Sequence, residues 1–299
     1  MKTLSESLQD RILLLDGAMG SLIQAYSLTE KDFRGCLDLP EGTNVQGNND
    51  LLSLTRPDII SDIHRRYLEA GADIITANTF SSQRVSQTEY HCGHLVKQLN
   101  TESVRIAKGQ AEAFSTTEKP RYVIATIGPT SKSLSISPDV NDPAFRAITY
   151  DELYDAYREQ ACALLEAGVD GILVETVFDT LNAKAAMDAI ETAMQERDIR
   201  VPMMLSITVN DRFGRILSGQ SLEALLASVS HFPLLSIGLN CSFGAEDMLP
   251  SLRTLAAKAP YFISAHLNAG LPNAMGLYDQ SPSMMAAQME HFVSEGLVN

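Results

Sequence analysis

The chain has 299 residues, of which 45% are hydrophobic and 20% charged, with a net charge of −14. This composition is ordinary for a globular protein and excludes a disordered chain, a collagen and a disulfide-stabilised miniprotein. The acidic balance argues against nucleic acids and anionic membranes as partners, and no apolar run approaches the ~18–20 residues of a membrane-spanning helix.

Short apolar runs alternate with longer amphipathic stretches along the chain. The apolar runs predict strands at residues 12–16, 73–77, 122–127, 171–175, 203–208, 235–240 and 261–266. The amphipathic stretches predict helices at 59–69, 95–114, 150–166, 180–195, 221–230, 245–258 and 283–293. Continuous apolar runs are typical of parallel strands covered on both faces, which leaves a doubly wound open sheet or a closed barrel.

Two features favour the barrel. No predicted strand leads into a Gly-x-Gly-x-x-Gly turn, the signature of a dinucleotide-binding open sheet. Polar or reactive residues also close nearly every predicted strand: Asp16, Asn78, Thr79, Glu175, Asn240, Cys241, His266 and Asn268. In a barrel, the carboxyl ends of the strands meet at one mouth. For any single residue, the alternative is that strand ends are polar because the chain turns there.

A short motif recurs before the predicted strands. LEAGAD at 68–73 and LEAGVD at 165–170 each place a glycine where a helix would end in a left-handed cap. SEGLVN at 294–299 begins a third copy, and the chain stops where an eighth strand should start. We therefore expect residues 1–299 to form one (β/α)8 TIM barrel that lacks its eighth strand, as in a C-terminally truncated chain.

The cysteines and the N-terminus bear on the compartment. The four cysteines are scattered without paired spacing, which suits a reducing environment. The apolar run after the polar first ten residues is too short for a signal peptide. The sequence predicts a cytoplasmic protein.

Two acidic strand ends are candidate binding residues. Asp16, in LDGAMG at 15–20, could hold a cation such as an ammonium group, and the backbone N–H groups of the small residues after it could hold a carboxylate. Glu175 could pair with an ammonium group or a reacting proton. The alternatives are a simple Asp-Gly turn and a structural ion pair.

Two cysteine segments invite a catalytic or metal interpretation. Cys241 lies at the end of a predicted strand, where it could be catalytic. A cysteine in such a position is equally often a small hydrophobic residue of the core. In His91-Cys92-Gly93-His94, three potential zinc ligands lie within four residues, too compact to surround one ion tetrahedrally. We expect this second segment to be a solvated loop.

Taken together, the motifs resemble the homocysteine-binding domain of thiol methyltransferases, and more closely that of cobalamin-dependent methionine synthases. The similar segments include RILLLDGAMGSLIQ at 11–24, GNNDLLSLTRPDIISDIHRRYLEAGADIITANTF at 47–80, ETVFDTLNAKAA at 175–186 and GLNCSFG at 238–244. They occur in order over most of the chain. The long segment at 47–80 favours methionine synthase over betaine- or S-methylmethionine-dependent relatives.

The resemblance implies substrate, cofactors and partners. Homocysteine would be the substrate, its ammonium group held by Asp16 and Glu175 and its carboxylate by the backbone of Gly17, Ala18 and Met19. The pocket would be shaped by Asn78, Thr79 and Asn240. The methyl group would come from methylcobalamin, and ultimately from 5-methyltetrahydrofolate, bound by separate folate and cobalamin modules of a full-length protein.

The resemblance also implies a zinc ion held by three cysteine thiolates, which would favour the thiolate form of homocysteine. Cys241 matches the first of these ligands and would be the catalytic and metal-binding residue. The other two would lie in a Gly-Gly-Cys-Cys motif, and the chain contains no Cys-Cys pair. We therefore expect weak or absent zinc binding and no methyl transfer by this chain. The alternative function is a non-catalytic folded fragment with only weak amino-acid binding.

Overall fold

A computed structural model describes residues 2–211, 213–270 and 280–299. In these ranges one curled sheet contains six parallel strands that pair in chain order. They are β1 (Ile74–Ala77), β2 (Tyr122–Ile127), β3 (Gly171–Val177), β4 (Met203–Ile207), β5 (Leu234–Asn240) and β6 (Phe262–His266). A doubly wound sheet reverses its strand order at a switch point, whereas this sequential order is that of a βα barrel. The fold is therefore α/β, with a half-barrel sheet consistent with a partial TIM barrel.

Helices connect the strands and cover the outside of the sheet. They are α1 (Leu4–Asp10), α2 (Met19–Gln24), α3 (Glu30–Arg34), α4 (Leu52–Thr55), α5 (Pro57–Ala70), α6 (Arg84–Glu89), α7 (Val96–Phe114), α8 (Tyr150–Glu166), α9 (Thr180–Arg197), α10 (Leu222–Val229), α11 (Ala245–Lys258) and α12 (Pro282–Ser294). All the predicted helices are confirmed, with ends shifted by at most a few residues. Among the described residues, no helix combines the length and apolarity needed to cross a membrane.

The first predicted strand, at residues 12–16, does not form a regular strand. Leu15 forms a single parallel bridge with Ile74 of β1. Beyond the bridge, the Thr76 N–H donates to the side-chain Oδ2 of Asp16 at 2.8 Å, where a regular ladder would use a backbone carbonyl. Before the bridge, the Leu14 N–H donates to Oδ2 of Asp73 at 3.0 Å. Because carboxylates replace backbone partners on both sides, residues 12–16 pair with β1 without forming a regular strand.

The sheet has two different faces. Its outer side chains, such as Ile75, Val123, Leu205 and Ile237, join the helices in the main core. The inner side chains nearer the amino ends of the strands form a separate apolar cluster with Leu4 of α1 and Leu13 of the segment before β1: Ile74, Tyr122, Ile124, Leu173 and Met204. Burying each such side chain stabilises the fold by roughly 1.5–3 kcal/mol. Toward the carboxyl ends, the inner face becomes polar.

The recurring motif is a helix-to-strand connection. Gly71 and Gly168 follow α5 and α8 with φ of 110° and 85°, and Gly296 follows α12 with φ of 69°. Glycine adopts this left-handed conformation without the steric cost that a Cβ would add. The helix ends predicted from the motif are therefore confirmed in all three copies.

Candidate functional site

The polar inner residues gather at the carboxyl ends of the strands. The structure brings together four residues that the sequence singled out, namely Asp16, Glu175, Asn240 and Cys241, through contacts and charge interactions described below. In a βα barrel, catalytic groups lie at this end of the strands. The candidate site is therefore built from one bridge segment and several strand ends rather than from a single loop.

Asp16 is a buried carboxyl group held by β1. Its oxygens accept hydrogen bonds from the backbone N–H and the Oγ1 hydroxyl of Thr76, at 2.8 Å and 3.0 Å. Burial raises the pKa of Asp16 to about 8, and the charge of Glu175 acts in the same direction, while the bonds from Thr76 oppose them. The carboxyl group is fixed in orientation yet poorly stabilised as an anion.

Glu175 lies near the hydroxyl of Thr126 in the neighbouring strand β2. Burial raises the pKa of Glu175 to about 7, and the Thr126 hydroxyl acts in the opposite direction. Thr76 and Thr126 were not predicted as site residues. Both lie within apolar runs, where an isolated threonine is an ordinary strand residue. Their even spacing from the inner-facing residues Ile74 and Ile124 is the signal that could have indicated them.

Two carboxyl groups with raised pKa values, Asp16 buried and Glu175 partly buried, can accommodate a cation. Ionising either carboxyl group costs desolvation free energy, and ionising both adds the repulsion between their charges. A cation placed between Asp16 and Glu175 would remove both penalties. The pair can thus bind an ammonium group or retain a proton, according to what occupies the site.

Asn240 links three strand ends through its side-chain amide. Its Nδ2 donates to Oγ1 of Thr176 at 2.8 Å and contacts Sγ of Cys241 at 3.3 Å. Its Oδ1 accepts from Oγ of Ser206 at 2.8 Å and from the Thr176 N–H at 3.3 Å. The amide is almost completely buried. It fixes the relative positions of β3, β4 and β5 at the mouth.

Two residues beside Asn240 have left-handed backbones. Thr176 has φ of 59° and Cys241 has φ of 55°. This region is unfavourable for residues with a Cβ and most unfavourable for a β-branched one, at a cost of order 1–3 kcal/mol each. The hydrogen bonds of Asn240 offset part of that cost. Strain of this kind concentrates at functional sites, which supports this cluster as the site.

The thiol of Cys241 reaches solvent at the mouth. Partial desolvation raises its pKa and the charge of Glu175 adds to this, whereas the Asn240 amide and the nearby Thr176 side chain act in the opposite direction. Of the other cysteines, Cys92 and Cys162 are buried and Cys36 is exposed elsewhere. Cys241 is the cysteine that the fold places with the other candidate residues.

The segment after Asp16 lies against α5. The hydroxyl of Tyr67 donates to the carbonyl of Ala18 at 3.0 Å. A Cβ added at Gly17 would lie 2.9 Å from that hydroxyl, so only glycine fits there without a shift. Burial raises the pKa of Tyr67 to about 12, with a further contribution from the charge of Asp16. Sequence reasoning missed Tyr67 because it lies in a helix far from Asp16 in the chain.

Asn78 and Thr79 lie at the end of β1, but their polar groups are already engaged. Nδ2 of Asn78 donates to the Asn49 carbonyl at 2.9 Å and to Oγ of Ser53 at 3.1 Å. Oγ1 of Thr79 donates to the Thr126 carbonyl at 2.8 Å. Both residues are buried. These hydrogen bonds fix the loop that follows β1.

The described residues do not supply the ligands of a zinc centre. Within the described ranges, no three His, Cys, Asp or Glu side chains gather in a metal-binding arrangement. A structural zinc ion takes four ligands and a catalytic one takes three from the protein, so Cys241 alone does not fit either. In the segment 91–94, His91 and His94 are exposed, but Cys92 is fully buried and contacts the Tyr90 carbonyl through Sγ. The predicted solvated loop is therefore wrong for Cys92, which packs as a core residue.

Comparisons with known proteins give a consistent result. A sequence model described as homocysteine S-methyltransferase matches residues 13–299. The oxidized form of the homocysteine methyltransferase MmuM from Escherichia coli superposes with a TM-score of 0.70 at 19% identity, covering 97% of this chain and 89% of that one. Its metallated form gives a TM-score of 0.68 at 21% identity, covering 94% and 91%. At these identities the structural likeness establishes the fold.

Proposed function

The chain belongs to the homocysteine S-methyltransferase family, and from that premise we propose that it binds homocysteine at the mouth of its half-barrel and presents the thiol for methylation. The observation that carries this proposal is the carboxyl pair of Asp16, which is buried, and Glu175, which is partly buried, with pKa values of about 8 and 7. Without a bound cation, these two carboxyl groups ionise poorly. The ammonium group of an amino acid would stabilise their ionised forms, so the pair is suited to bind it. Homocysteine is an amino acid that also carries the thiol to be methylated.

The remaining groups of homocysteine have candidate partners at the same end. We assign its carboxylate to the backbone N–H groups of Gly17, Ala18 and Met19, in the segment that Tyr67 contacts. Asn240 orders the wall beside Cys241, and Asn78 and Thr79 support the loop after β1. The substrate would then lie between the bridge segment and the ends of β3 and β5.

The reaction requires a bond between the homocysteine sulfur and the methyl carbon. As it forms, the bond from that carbon to its donor breaks, and the thiol proton is released to give methionine. The thiolate is the nucleophile, and an ordinary thiol is mostly protonated at neutral pH. Holding the sulfur at a fixed position facing the open mouth is the contribution that these residues make.

We propose further that the chain is the homocysteine module of a cobalamin-dependent methionine synthase, a single barrel unit over 1–299. The similarity of residues 47–80 to that group supports this assignment. Methylcobalamin would supply the methyl group, and separate folate and cobalamin modules would be the partners. Cys241 would be one of several thiolate ligands of a zinc site, which the described residues do not complete.

The second candidate function is a folded, non-catalytic fragment that binds amino acids weakly. It is favoured by the single thiol that the described residues place at the mouth. Calorimetric titration of homocysteine, with and without added zinc, separates the two functions. Saturable binding supports the homocysteine site, whereas heats that stay at the level of dilution favour the fragment.

The ammonium assignment is tested by the same titration on variants. Asp16→Asn and Glu175→Gln keep the shape of each side chain and remove its charge. We expect each variant to bind homocysteine about tenfold or more weakly, because hydrogen bonds to charged groups contribute roughly 1.5–3 kcal/mol to the binding free energy. Glu118→Gln, at an exposed position before β2, is the matched control and should bind as the unsubstituted chain does. Unchanged affinity in both site variants would refute the assignment.

A further inference from the structure

Tyr67 attaches the segment after Asp16 to helix α5. Its hydroxyl donates to the Ala18 carbonyl at 3.0 Å. The ring of Tyr67 is partly buried and packs against both of the larger hydrophobic clusters of the fold. Burial raises the pKa of Tyr67 to about 12, so the phenol keeps its proton at neutral pH and remains a donor. The Ala18 carbonyl is therefore held by a fixed group on a packed helix.

The same segment is attached to β1 on the other side of Gly17. The carboxyl group of Asp16 accepts the Thr76 N–H at 2.8 Å. Gly17 is the one residue between this attachment and Ala18, and a Cβ there would lie 2.9 Å from the Tyr67 hydroxyl. Because the two attachments are so close in the chain, β1 and α5 together set the position of the Asp16 carboxyl group relative to the Ala18 peptide.

The hydrogen bond at Ala18 also determines where the next backbone N–H points. The Ala18 carbonyl and the Met19 N–H belong to one planar trans peptide, in which they point in opposite directions. Since the carbonyl is held toward α5, the Met19 N–H points away from that helix. Within the described part of the chain, the backbone N–H groups of Gly17, Ala18 and Met19 have no hydrogen-bond partner.

We propose that Tyr67 is a positioning residue that makes the site select α-amino acids over simple amines. This inference rests on the proposed function. An α-amino acid carries its ammonium and carboxylate groups on one carbon, so their separation is fixed. Tyr67 holds the N–H groups assigned to the carboxylate at one distance from Asp16, which is assigned to the ammonium group. Without the hydroxyl, the Ala18 peptide is free to rotate and only the ammonium contact stays in place.

Tyr67→Phe tests this role, because it removes the hydroxyl and keeps the ring in the core. Calorimetry compares homocysteine with 3-aminopropane-1-thiol, which has the same chain and ammonium group but no carboxylate. We expect Tyr67→Phe to raise the homocysteine Kd about fivefold, the effect of one ordinary hydrogen bond, and to leave the Kd of the amine unchanged. A purely structural role of Tyr67 would weaken the binding of both ligands by the same factor.

Tyr26→Phe is the matched control. The hydroxyl of Tyr26 donates to Oδ2 of Asp62 at 2.7 Å, so it also attaches the N-terminal part of the chain to α5, but further along the chain than Ala18. Its removal should leave both Kd values unchanged. If Tyr26→Phe weakened homocysteine selectively as well, the cause would be a general loosening against α5, and the inference would be overturned.

Backbone amide NMR observes the held peptide directly. In the chain labelled with isotope-enriched methionine, the spectrum of Met19→Leu assigns the Met19 amide among the eleven methionines. Saturation with homocysteine should shift the Met19 resonance in the parent chain and shift it much less in Tyr67→Phe. Met187, fully buried in α9, is the internal control, and its amide resonance should stay unchanged.

The outcomes separate this inference from the function on which it rests. If homocysteine does not bind the parent chain, the proposed function and this inference both fail. If homocysteine binds but its Kd is the same in Tyr67→Phe, or rises together with that of the amine, only the inference is overturned. A Met19 shift that is equal in the parent chain and in Tyr67→Phe overturns it as well.

Discussion

Asn299 and Ile263 are joined by two hydrogen bonds. The side-chain Oδ1 of Asn299 accepts the Ile263 N–H at 2.7 Å, and the Asn299 N–H donates to the Ile263 carbonyl at 3.2 Å. The last residue of the third motif copy thus lies beside the start of β6. Leu297 and Val298 just before it are buried.

The first two motif copies use the same pair of bonds. Asp73 accepts the Leu14 N–H at 3.0 Å and donates its own N–H to the Leu14 carbonyl at 2.8 Å. Asp170 does the same with Val123, at 2.7 Å in each direction. The three copies of the internal repeat therefore share one pattern of hydrogen bonds. Each use of this pattern attaches a new chain segment to the preceding strand or, in the first copy, to the segment that bridges to β1.

The hydrogen bonds between Asp170 and Val123 predict how variants at Asp170 change the stability of the fold. Asp170→Ala removes the acceptor of the buried Val123 N–H and should destabilise the fold by about 1–3 kcal/mol. Asp170→Asn keeps an acceptor oxygen and loses only the charge that pairs with Lys108. Such partly exposed pairs contribute about 0–1 kcal/mol, so the Asn variant should unfold close to the parent chain. Urea unfolding measures both variants; equal losses in the two would contradict the role of the acceptor.

The raised pKa of Asp16 predicts how stability depends on pH. The folded state holds the proton up to about pH 8, whereas an unfolded aspartate loses it near 3.8. Between these values the folded state binds more protons, so the contribution of Asp16 to stability falls as the pH rises. Relative to the parent chain, Asp16→Asn should gain roughly 2 kcal/mol or more from pH 5 to pH 8, since one pKa unit corresponds to ~1.4 kcal/mol.

Urea unfolding at several pH values gives this difference directly. Asp139→Asn, at an exposed position, is the control and should follow the parent chain throughout. If the difference between Asp16→Asn and the parent stays constant over this pH range, the carboxyl group of Asp16 does not retain its proton in the folded state.

Binding of an ammonium group should release protons. At pH 7 the pKa values of about 8 for Asp16 and 7 for Glu175 leave both groups partly protonated. An ammonium group between them favours the ionised forms, so roughly one proton should leave on binding near neutral pH. Calorimetry in two buffers of different ionisation enthalpy measures this number. Using 2-aminobutyrate, which has no thiol, separates these protons from the thiol proton.

Glu175→Gln provides the comparison for proton release. It removes one of the two titrating groups and should lower the number of protons released. Proton release that is the same in this variant and in the parent would show that the carboxyl pair does not receive the ammonium group.

Among the described residues Cys241 is the single thiol at the mouth, which predicts weak zinc binding by the 299-residue chain. Metal analysis after dialysis should find zinc well below one equivalent, because one thiolate leaves a tetrahedral ion mostly without protein ligands. Appending an apolar strand that ends in Gly-Gly-Cys-Cys should raise the content toward one equivalent. Cys241→Ser in the extended chain should abolish this gain. Tight stoichiometric zinc in the unextended chain would contradict the prediction.

The sequence predicted the helices and most strands because their patterns repeat over many residues. Amphipathic spacing specifies a helix such as α8, and a continuous apolar run specifies a buried strand such as β2. The positions of Asp16, Glu175, Asn240 and Cys241 followed from a topological rule, since parallel strands bring their carboxyl ends together. Such features depend on chain order alone.

The remaining features depend on side-chain contacts between distant segments. Asn78 and Thr79 follow β1 as predicted, yet their side chains bond to neighbouring loops and strands. Tyr67 reaches the carbonyl of Ala18 from a helix, and no periodicity indicates that contact. The short bridge segment at 12–16 results from side-chain oxygens replacing backbone ones, a competition that a hydropathy pattern does not reveal.

The division of the inner face by depth has an evolutionary consequence. Residues near the amino ends, such as Leu173 and Met204, pack in an apolar layer that holds the sheet together, whereas Glu175 and Ser206, two positions further along the same strands, face the mouth. Selection for a new substrate can therefore act on the upper residues while the lower ones continue to maintain the fold. A deep mutational scan scored for folding should tolerate polar changes at the upper level and reject them two residues below.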